Sequence, residues 1–177
     1  MYEGKLVRLR AQEPADIPLL FQWFNDPEVT SYLALRYPLS MRDEQDFVES
    51  VKSVGYQHAH FAIEAKDTGD LIGGVDLREV SAENRHADLG IALGNKAYWD
   101  RGYGTDAMRT ICRFGFEEMN LHRIQLWVHG TNPRAQRVYE KIGFVVEGRA
   151  RDGWYKQGEY VDMVLMGLLE GELKPGD

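Results

Sequence analysis

Trp99-Asp100-Arg101-Gly102-Tyr103-Gly104-Thr105-Asp106-Ala107 is the stretch of this sequence that decides the fold. It follows an apolar strand pattern and opens a helical one. Two glycines two positions apart allow a tight turn in which consecutive backbone N–H groups point at one anion, and the positive end of the following helix adds to the attraction. The stretch therefore predicts a cradle for a pyrophosphate group.

Two known nucleotide motifs compete with this interpretation. The spacing Gly102-x-Gly104-x-x-Ala107 formally matches the dinucleotide fingerprint, but the strand pattern stops near Leu93 and no acidic residue between Met119 and His129 is available to hold a ribose. A mononucleotide P-loop needs Gly-Lys-Ser/Thr, whereas Thr105-Asp106 follows Gly104. A dinucleotide-dependent enzyme is therefore only a third alternative, and the P-loop is rejected.

The composition is typical of one soluble domain. The chain has 177 residues, 44% of them hydrophobic, which is enough for a core of its own. We expect a domain over residues 1–170 and a loose tail at 171–177. The one cysteine, Cys112, is expected to pack inside a helix, and a reducing, cytoplasmic setting fits this. The sequence shows neither an export signal nor an apolar run of roughly 18 residues, so no membrane association is expected.

Charge is unevenly distributed along the chain. The net charge of −7 argues against a nucleic-acid partner, because phosphate binding needs a basic surface. From Lys96 to Lys141, eight basic residues stand against five acidic ones, so this segment carries +3 and the remainder −10. Either these are scattered surface charges, or an anionic ligand binds the basic segment and a cationic ligand the rest.

Hydrophobic periodicity and turn residues predict the element order β, α, α, β, β, β, α, β, α, β, β. The strands are expected at Lys5–Gln12, His58–Glu64, Leu71–Glu79, His86–Leu93, Arg123–His129, Phe144–Trp154 and Glu159–Leu168, and the helices at Ile17–Phe24, Met41–Val54, Thr105–Met119 and Pro133–Ile142. The turn Lys66-Asp67-Thr68-Gly69-Asp70 predicts a hairpin. A mixed sheet flanked by helices follows.

The stretch from Asp88 through Phe144 resembles the GNAT superfamily of acetyl-CoA-dependent acetyltransferases. Both glycines of that family's motif, Gln/Arg-x-x-Gly-x-Gly/Ala, are present in Trp99-x-x-Gly102-x-Gly104, although the first position differs. About 30 residues on, Asn132-x-x-Ala135-x-x-x-Tyr139-x-x-x-Gly143-Phe144 matches the family's next strand and helix. With Asn25-Asp26-Pro27, Glu147-Gly148-Arg149 and Glu159-Tyr160-Val161-Asp162, nearly the whole chain resembles the branch of ribosomal-protein and spermidine acetyltransferases.

The resemblance implies a mixed α/β GNAT fold whose mostly antiparallel sheet is splayed at the cofactor site. It implies acetyl-CoA as co-substrate, no metal, and direct transfer to an amine in a ternary complex. Backbone amides of the glycine turn would bind the pyrophosphate, and the strand before it would pair with the pantetheine arm like an added strand. The implied cofactor-binding set is Ile91, Ala92, Leu93, Trp99, Arg101, Gly102, Tyr103, Gly104, Thr105, Asn132, Arg134 and Arg137.

Three members of this set have structural alternatives. Asn132 binds the cofactor arm or is the N-cap of the helix that begins at Pro133. Arg134 and Arg137 reach the adenosine phosphates or cover a solvent-exposed helix face.

The resemblance makes Tyr139 the candidate general acid. A thiol titrates near 8.5 and a tyrosine near 10, so the phenol stays protonated at neutral pH and can donate to the departing thiolate. The alternative is a core aromatic side chain.

The base must take a proton from an amine that arrives charged. Asp88 matches the acidic position of Ala-Glu-x-Gly in this branch and is the first candidate, and Asp76 is the second. The histidines His58, His60, His86 and His122 show no spacing typical of a catalytic or metal pair, so burial or solvation is expected for them.

The acceptor is expected to be a protein N-terminus, a polyamine or another small amine, and the acidic remainder of the chain favours a cationic one. Trp154-Tyr155 and the region from Trp23-Phe24 to Tyr37 either surround the acceptor or form core and dimer contacts. Specificity is expected in irregular segments such as 25–40 and 81–85. A homodimer is common in this branch. The alternative function is a non-catalytic acyl-CoA-binding sensor or interaction module, which would need neither Tyr139 nor Asp88.

Overall fold

The structure is a computed structural model that describes residues 2–50 and 56–176. The strands are β1 (Tyr2–Glu3), β2 (Val7–Arg10), β3 (Ala59–Ala65), β4 (Leu71–Ser81), β5 (His86–Leu93), β6 (Arg123–His129), β7 (Val145–Lys156) and β8 (Glu159–Leu169). The helices are α1 (Ile17–Phe24), α2 (Pro27–Thr30), α3 (Met41–Ser50), α4 (Tyr103–Glu117) and α5 (Pro133–Ile142). All eight strands form one sheet in the order β1-β2-β3-β4-β5-β6-β8-β7.

The predicted order of strands and α-helices is confirmed, and one short strand and one short α-helix add to it, besides 3-10 turns at Pro14–Asp16 and Lys96–Tyr98. Strand β1 precedes the first predicted strand. Helix α2 begins at Pro27, where the sequence predicted only the end of α1. It forms because the Asp26 side chain accepts a hydrogen bond from the Glu28 amide at 2.9 Å, while Pro27 needs no partner at the first helical position. The expected helix from Met41 to Val54 is present to Ser50, and its last four residues lie outside the described residues.

The sheet is divided between β5 and β6. On one edge, β5 pairs antiparallel with β4 along most of its length. On the other edge it pairs parallel with β6 at only three positions, of which Asp88 with Gln125 is the last. Beyond that pair the strands separate, although β6 continues its antiparallel pairing with β8 to His129. The expected mixed, mostly antiparallel sheet with a splay is confirmed, and the splay leaves facing backbone edges open.

The two faces of the sheet are covered by different helices. Helix α4 lies on one face, where Met108, Ile111 and Cys112 are buried among the strand side chains. Cys112 is completely buried, and this burial raises the pKa of its thiol, as expected for a packing role. Helix α1 contributes Leu20 and Trp23 to a second apolar cluster on the opposite face.

The C-terminal segment is attached to the domain, contrary to the expected loose tail. The Lys174 amide donates to the Ile142 carbonyl at 2.9 Å, and the Glu172 side chain accepts from the Leu169 amide at 2.8 Å. Leu173 packs against the main core. The chain turns back at Gly171, whose φ is +91°, so residues 172–174 cover the end of α5. Asp177 lies outside the described residues.

Within residues 2–50 and 56–176, no helix combines the length and the apolar character that crossing a bilayer requires.

Candidate functional site

A cavity of about 660 Å³ opens where β5 and β6 separate. One side is formed by the free edge of β5 from Leu89 to Ala92, and the other by β6 from Leu126 to His129. Asn132, the residue before α5, and Tyr139 within α5 line the cavity beside β6. The cavity is therefore a direct product of the splay.

The glycine turn leaves the N-terminus of α4 available to an anion. Gly102 is the N-cap with φ +88°, and the first hydrogen bond back to it comes from Asp106 at 3.0 Å. The amides of the three residues between them have no acceptor within the helix and can therefore point at a ligand. The Asp106 carboxylate does not compete with an anion there, because it accepts hydrogen bonds from the backbone amides of Lys5, Leu6 and Val7.

The side chains of the turn mostly support it. Tyr103 is buried and donates its hydroxyl hydrogen to Asp67 at 2.9 Å, so only its amide is available to a ligand. The Arg101 guanidinium lies 5.7 Å from the Tyr103 ring centre and is exposed. The Trp99 indole N–H donates to the Leu93 carbonyl at 2.9 Å. Trp99 therefore engages one of the backbone groups expected to pair with pantetheine, while Ile91 and Ala92 line the cavity.

Helix α5 connects the cavity to the glycine turn. Asn132 caps α5 by accepting from the Ala135 amide at 3.1 Å, which confirms the structural alternative, and Asn132 also lines the cavity. Arg134 forms an ion pair with Asp100 and therefore lies beside the turn. Arg137 is exposed on the same helix. The Arg134 guanidinium is therefore a cation beside the glycine turn, where the phosphates of the cofactor are expected, and it is paired there with the Asp100 carboxylate.

Tyr139 presents an unengaged hydroxyl to the cavity. Its ring lies 6.1 Å from that of Phe144, measured between centroids, and no residue in the described part of the chain hydrogen-bonds the hydroxyl. Burial raises the pKa of Tyr139 to about 12. The phenol is therefore a proton donor at neutral pH.

The two candidate bases occupy different places. The Asp88 carboxylate accepts a hydrogen bond from the Gln125 side chain at 2.7 Å, at the root of the splay, and Asp88 does not line the cavity. Asp76 lines it and accepts from the Arg78 guanidinium at 3.1 Å. The structure thus brings Asp76, rather than Asp88, into the same cavity as Tyr139.

Two histidines for which burial or solvation was expected lie beside Asp76. His60 is paired with Asp76 across β3 and β4, and His58 Nε2 lies 3.9 Å from an Asp76 carboxylate oxygen. Burial lowers the pKa of His60, although the Asp76 charge opposes this. One ligand atom from each of the three residues lies within 4.8 Å of the others, but the Arg78 cation on Asp76 opposes a metal ion, so we assign none. The signal that was missed is the spacing of two, which in extended chain puts His58, just before β3, and His60, within it, on the same side.

Residues 31–39 cover the cavity and are fastened at two points. The Asn25 side chain donates to the Leu39 carbonyl at 3.1 Å and accepts from its amide at 3.0 Å. Lys156 of β7 donates to the Leu33 carbonyl at 2.9 Å. This part of the expected specificity segment, residues 25–40, lines the cavity, whereas residues 81–85 do not.

Of the aromatic residues expected around the acceptor, some line the cavity and others do not. Phe24 and Trp154 line the cavity. Trp23 is buried in the core, while Tyr37 and Tyr155 are exposed away from the cavity.

The amino-acid sequence matches a known protein family and several of its members. The family model described as an acetyltransferase (GNAT) domain matches residues 7–145. An uncharacterized N-acetyltransferase p20 of Bacillus licheniformis is 28% identical over 174 residues, covering 97% of each chain. The putative ribosomal N-acetyltransferase YdaF of Bacillus subtilis is 36% identical over 104 residues, which cover 59% of this chain and 56% of YdaF.

A solved structure extends the comparison to the fold. The spermidine N-acetyltransferase of Vibrio cholerae, crystallised with CoA and spermine, superposes with a TM-score of 0.86 at 26% identity, covering 96% of this chain and 98% of that one.

Proposed function

The chain belongs to the GNAT acetyltransferase family, and we propose that it transfers the acetyl group of acetyl-CoA directly to a primary amine in the cavity between β5 and β6. The observation that carries this proposal is the convergence of a free strand edge, a helix N-terminus and an unengaged tyrosine hydroxyl on one opening of the sheet. An enzyme that binds a long anionic thioester and cleaves it needs these three elements: the strand edge for the amide-rich arm, the helix N-terminus for the phosphates and the hydroxyl for the thiolate.

We assign cofactor binding to the elements on either side of the splay. The amides of Tyr103, Gly104 and Thr105 face the pyrophosphate, with Arg101 and Arg134 as nearby cations. The backbone of Ile91 and Ala92 pairs with the pantetheine arm on the edge that β6 leaves free. Acetyl-CoA supplies an activated acyl group and a thiolate leaving group, and the protein orients both.

Tyr139 acts as the general acid in this proposal. The amine nitrogen forms a bond to the thioester carbonyl carbon, the carbon–sulfur bond breaks, and the sulfur takes a proton from the phenol. The burial that raises the pKa of Tyr139 keeps this proton in place until the thiolate develops.

We assign proton acceptance to the pair of His60 and Asp76. Both line the cavity, whereas Asp88 is bonded to Gln125 outside it. The lowered pKa of His60 keeps its imidazole neutral at physiological pH, so it can accept a proton. The ammonium first gives one proton to this pair, which releases it to solvent, because only a neutral nitrogen has the lone pair that attacks. The nitrogen becomes more acidic once it is bonded to the carbonyl carbon, and the second proton that it then loses replaces the one that Tyr139 gives to sulfur.

The acceptor we propose is a small amine such as a polyamine, with a protein N-terminus as the other class. The support is the full-length similarity to the spermidine N(1)-acetyltransferase of Vibrio cholerae, which is 27% identical over 164 residues and covers 93% of both chains. The homodimer and the cytoplasmic setting stay predictions.

Thiol release from acetyl-CoA tests the function. The protein is mixed with acetyl-CoA and a panel that includes spermidine, simple amines and peptides with free N-termini, and the products are identified by mass. We expect CoA release that depends on the amine and matches the acetylated product. Saturable CoA binding without amine-dependent release would instead support the non-catalytic acyl-CoA-binding module.

A further inference from the structure

Glu44 is a buried carboxylate that lines the cavity without a partner. The residue is 2% exposed, and no donor in the described part of the chain reaches its Oε1. Burial raises the pKa of its carboxyl group. A buried acceptor without a hydrogen bond destabilises the protein, and a ligand that brings an N–H donor removes that cost.

The described cavity wall does not supply the missing cation. One arginine and no lysine line it there, and the arginine, Arg78, is paired with Asp76 at 3.1 Å. The neighbouring Asp43 is already satisfied, because its carboxylate accepts from the Ser40 amide at 2.7 Å and from the Ser40 hydroxyl at 2.6 Å. Gln12 Oε1 is a second buried acceptor in this wall without a donor. Two residues of the cavity wall therefore each carry a buried oxygen without a donor.

These oxygens lie away from the place of reaction. Phe47, one helical turn after Glu44, contacts the His60 ring edge-on at 5.7 Å, so this face of α3 lies over β3. The acetyl group is expected at the free edge of β5, near Ala92. His60 and Asp76 lie between the two places, because the His60 ring meets Phe47 of α3 while Asp76, its partner, is on β4 next to β5. Strand β4 separates β3 from β5, so the face of α3 that carries Glu44 and the edge of β5 are on the order of 10 Å apart at normal strand spacing. One amine nitrogen cannot occupy both.

We propose that Glu44, assisted by Gln12, binds a second cationic nitrogen of the acceptor, so that this chain selects linear diamines over monoamines. The inference rests on the proposed acetyl transfer and narrows its acceptor. The distal ammonium donates to Glu44 Oε1 and Gln12 Oε1, and its charge keeps the carboxylate ionised. Apolar side chains of Phe24, Leu39 and Phe47 line the cavity and suit the methylene chain between the two nitrogens.

Binding to the CoA-loaded protein tests this subsite without requiring turnover. Linear α,ω-diamines of increasing length are titrated by calorimetry, each beside the monoamine of equal length. We expect the longer diamines to bind more tightly than their monoamines. Glu44→Gln keeps the shape and removes the charge, so diamine affinity falls about tenfold or more while monoamine affinity is unchanged. Gln12→Met gives a smaller loss of the same sign.

The control is Asp46→Asn, which removes a carboxylate from the exposed part of α3 and leaves diamine binding as in wild type. CoA affinity and thermal midpoint verify the fold of each variant, and Gln12→Met provides the independent test if Glu44→Gln loses its fold. Equal binding of diamines and monoamines by the wild-type protein, or equal diamine binding by Glu44→Gln and wild type, overturns the proposal. Tight diamine binding without acetylation would contradict the proposed function and leave this subsite standing.

Discussion

Gln125 and Asp88 are joined twice, as the last paired residues of β6 and β5 and through a side-chain hydrogen bond of 2.7 Å. The side-chain bond therefore lies at the last paired position before the two strands separate. Asp88 therefore has a structural partner at the root of the splay, although its sequence position suggested the catalytic base.

Asp88→Asn and Asp76→Asn distinguish these roles. If Asp76 and His60 accept the proton, Asp88→Asn leaves the acidic limb of the pH profile of kcat/KM in place, while Asp76→Asn lowers kcat by about 100-fold. Loss of the Gln125 bond also lowers the thermal midpoint of Asp88→Asn. The measurement is the pH profile of both variants with one good acceptor. If the acidic limb of the kcat/KM profile moved in Asp88→Asn and not in Asp76→Asn, Asp88 would be the base.

Tyr139→Phe removes the proposed acid and keeps the ring. We expect kcat to fall by about 100-fold or more, because a positioned general acid contributes on this scale, while the Kd of acetyl-CoA stays within about twofold. Tyr160→Phe is the matched control, since that ring is 65% exposed and does not line the cavity.

The pH dependence gives a second measure of the same role. The protonated phenol is the active form and its pKa is raised to about 12, so titration of Tyr139 removes activity only as pH rises through that value. The alkaline side of the kcat profile should therefore stay flat to about pH 10. A kcat within threefold of wild type in Tyr139→Phe would remove Tyr139 from the mechanism.

Gly102→Ala tests the anion cradle. The φ of +88° strains an alanine by about 1 kcal/mol, although the nearest atom to its Cβ, Leu6 Cδ1, is 3.5 Å away and leaves room for it. We expect the strain to disturb the amides that follow and to raise the Kd of CoA by about fivefold to tenfold. Calorimetric titration with CoA measures this change.

Gly158→Ala is the control for that strain. Gly158 has a similar φ of +86° in the turn between β7 and β8, and no atom lies within 4 Å of the added Cβ. Both variants should lose similar thermal stability, and only Gly102→Ala should lose CoA affinity. Equal CoA affinities in the two variants would show that the turn does not hold the cofactor.

Local sequence patterns predicted the strands and helices well. The bounds of β5, β6 and α5 agree with expectation because apolar periodicity and the Asn132-Pro133 start are local signals. The start of α4 differed by two residues, since Gly102 itself is the N-cap and Tyr103 already belongs to the helix. The mostly antiparallel character of the sheet and its splay came from the family resemblance rather than from periodicity, and the order of strands in the sheet was not predicted.

The acceptor end of the cavity was not predictable in the same way. His60 and Asp76 meet because the hairpin of β3 and β4 pairs them, and Glu44 joins the wall only because α3 packs over that hairpin. A local sequence pattern predicts neither the register of two paired strands nor the packing of a helix on them. The attached C-terminal segment is another long-range contact, since Lys174 bonds to Ile142.

The position of Cys112 in the core has a practical consequence for kinetics. Its sulfur is enclosed by α4 and the sheet, and the raised pKa of its thiol keeps it in the unreactive form. A chromogenic disulfide reagent added during turnover therefore registers the CoA product without background from the folded catalyst. The same reagent marks the chain when heat or denaturant opens it, so one dye follows both product formation and loss of the native state.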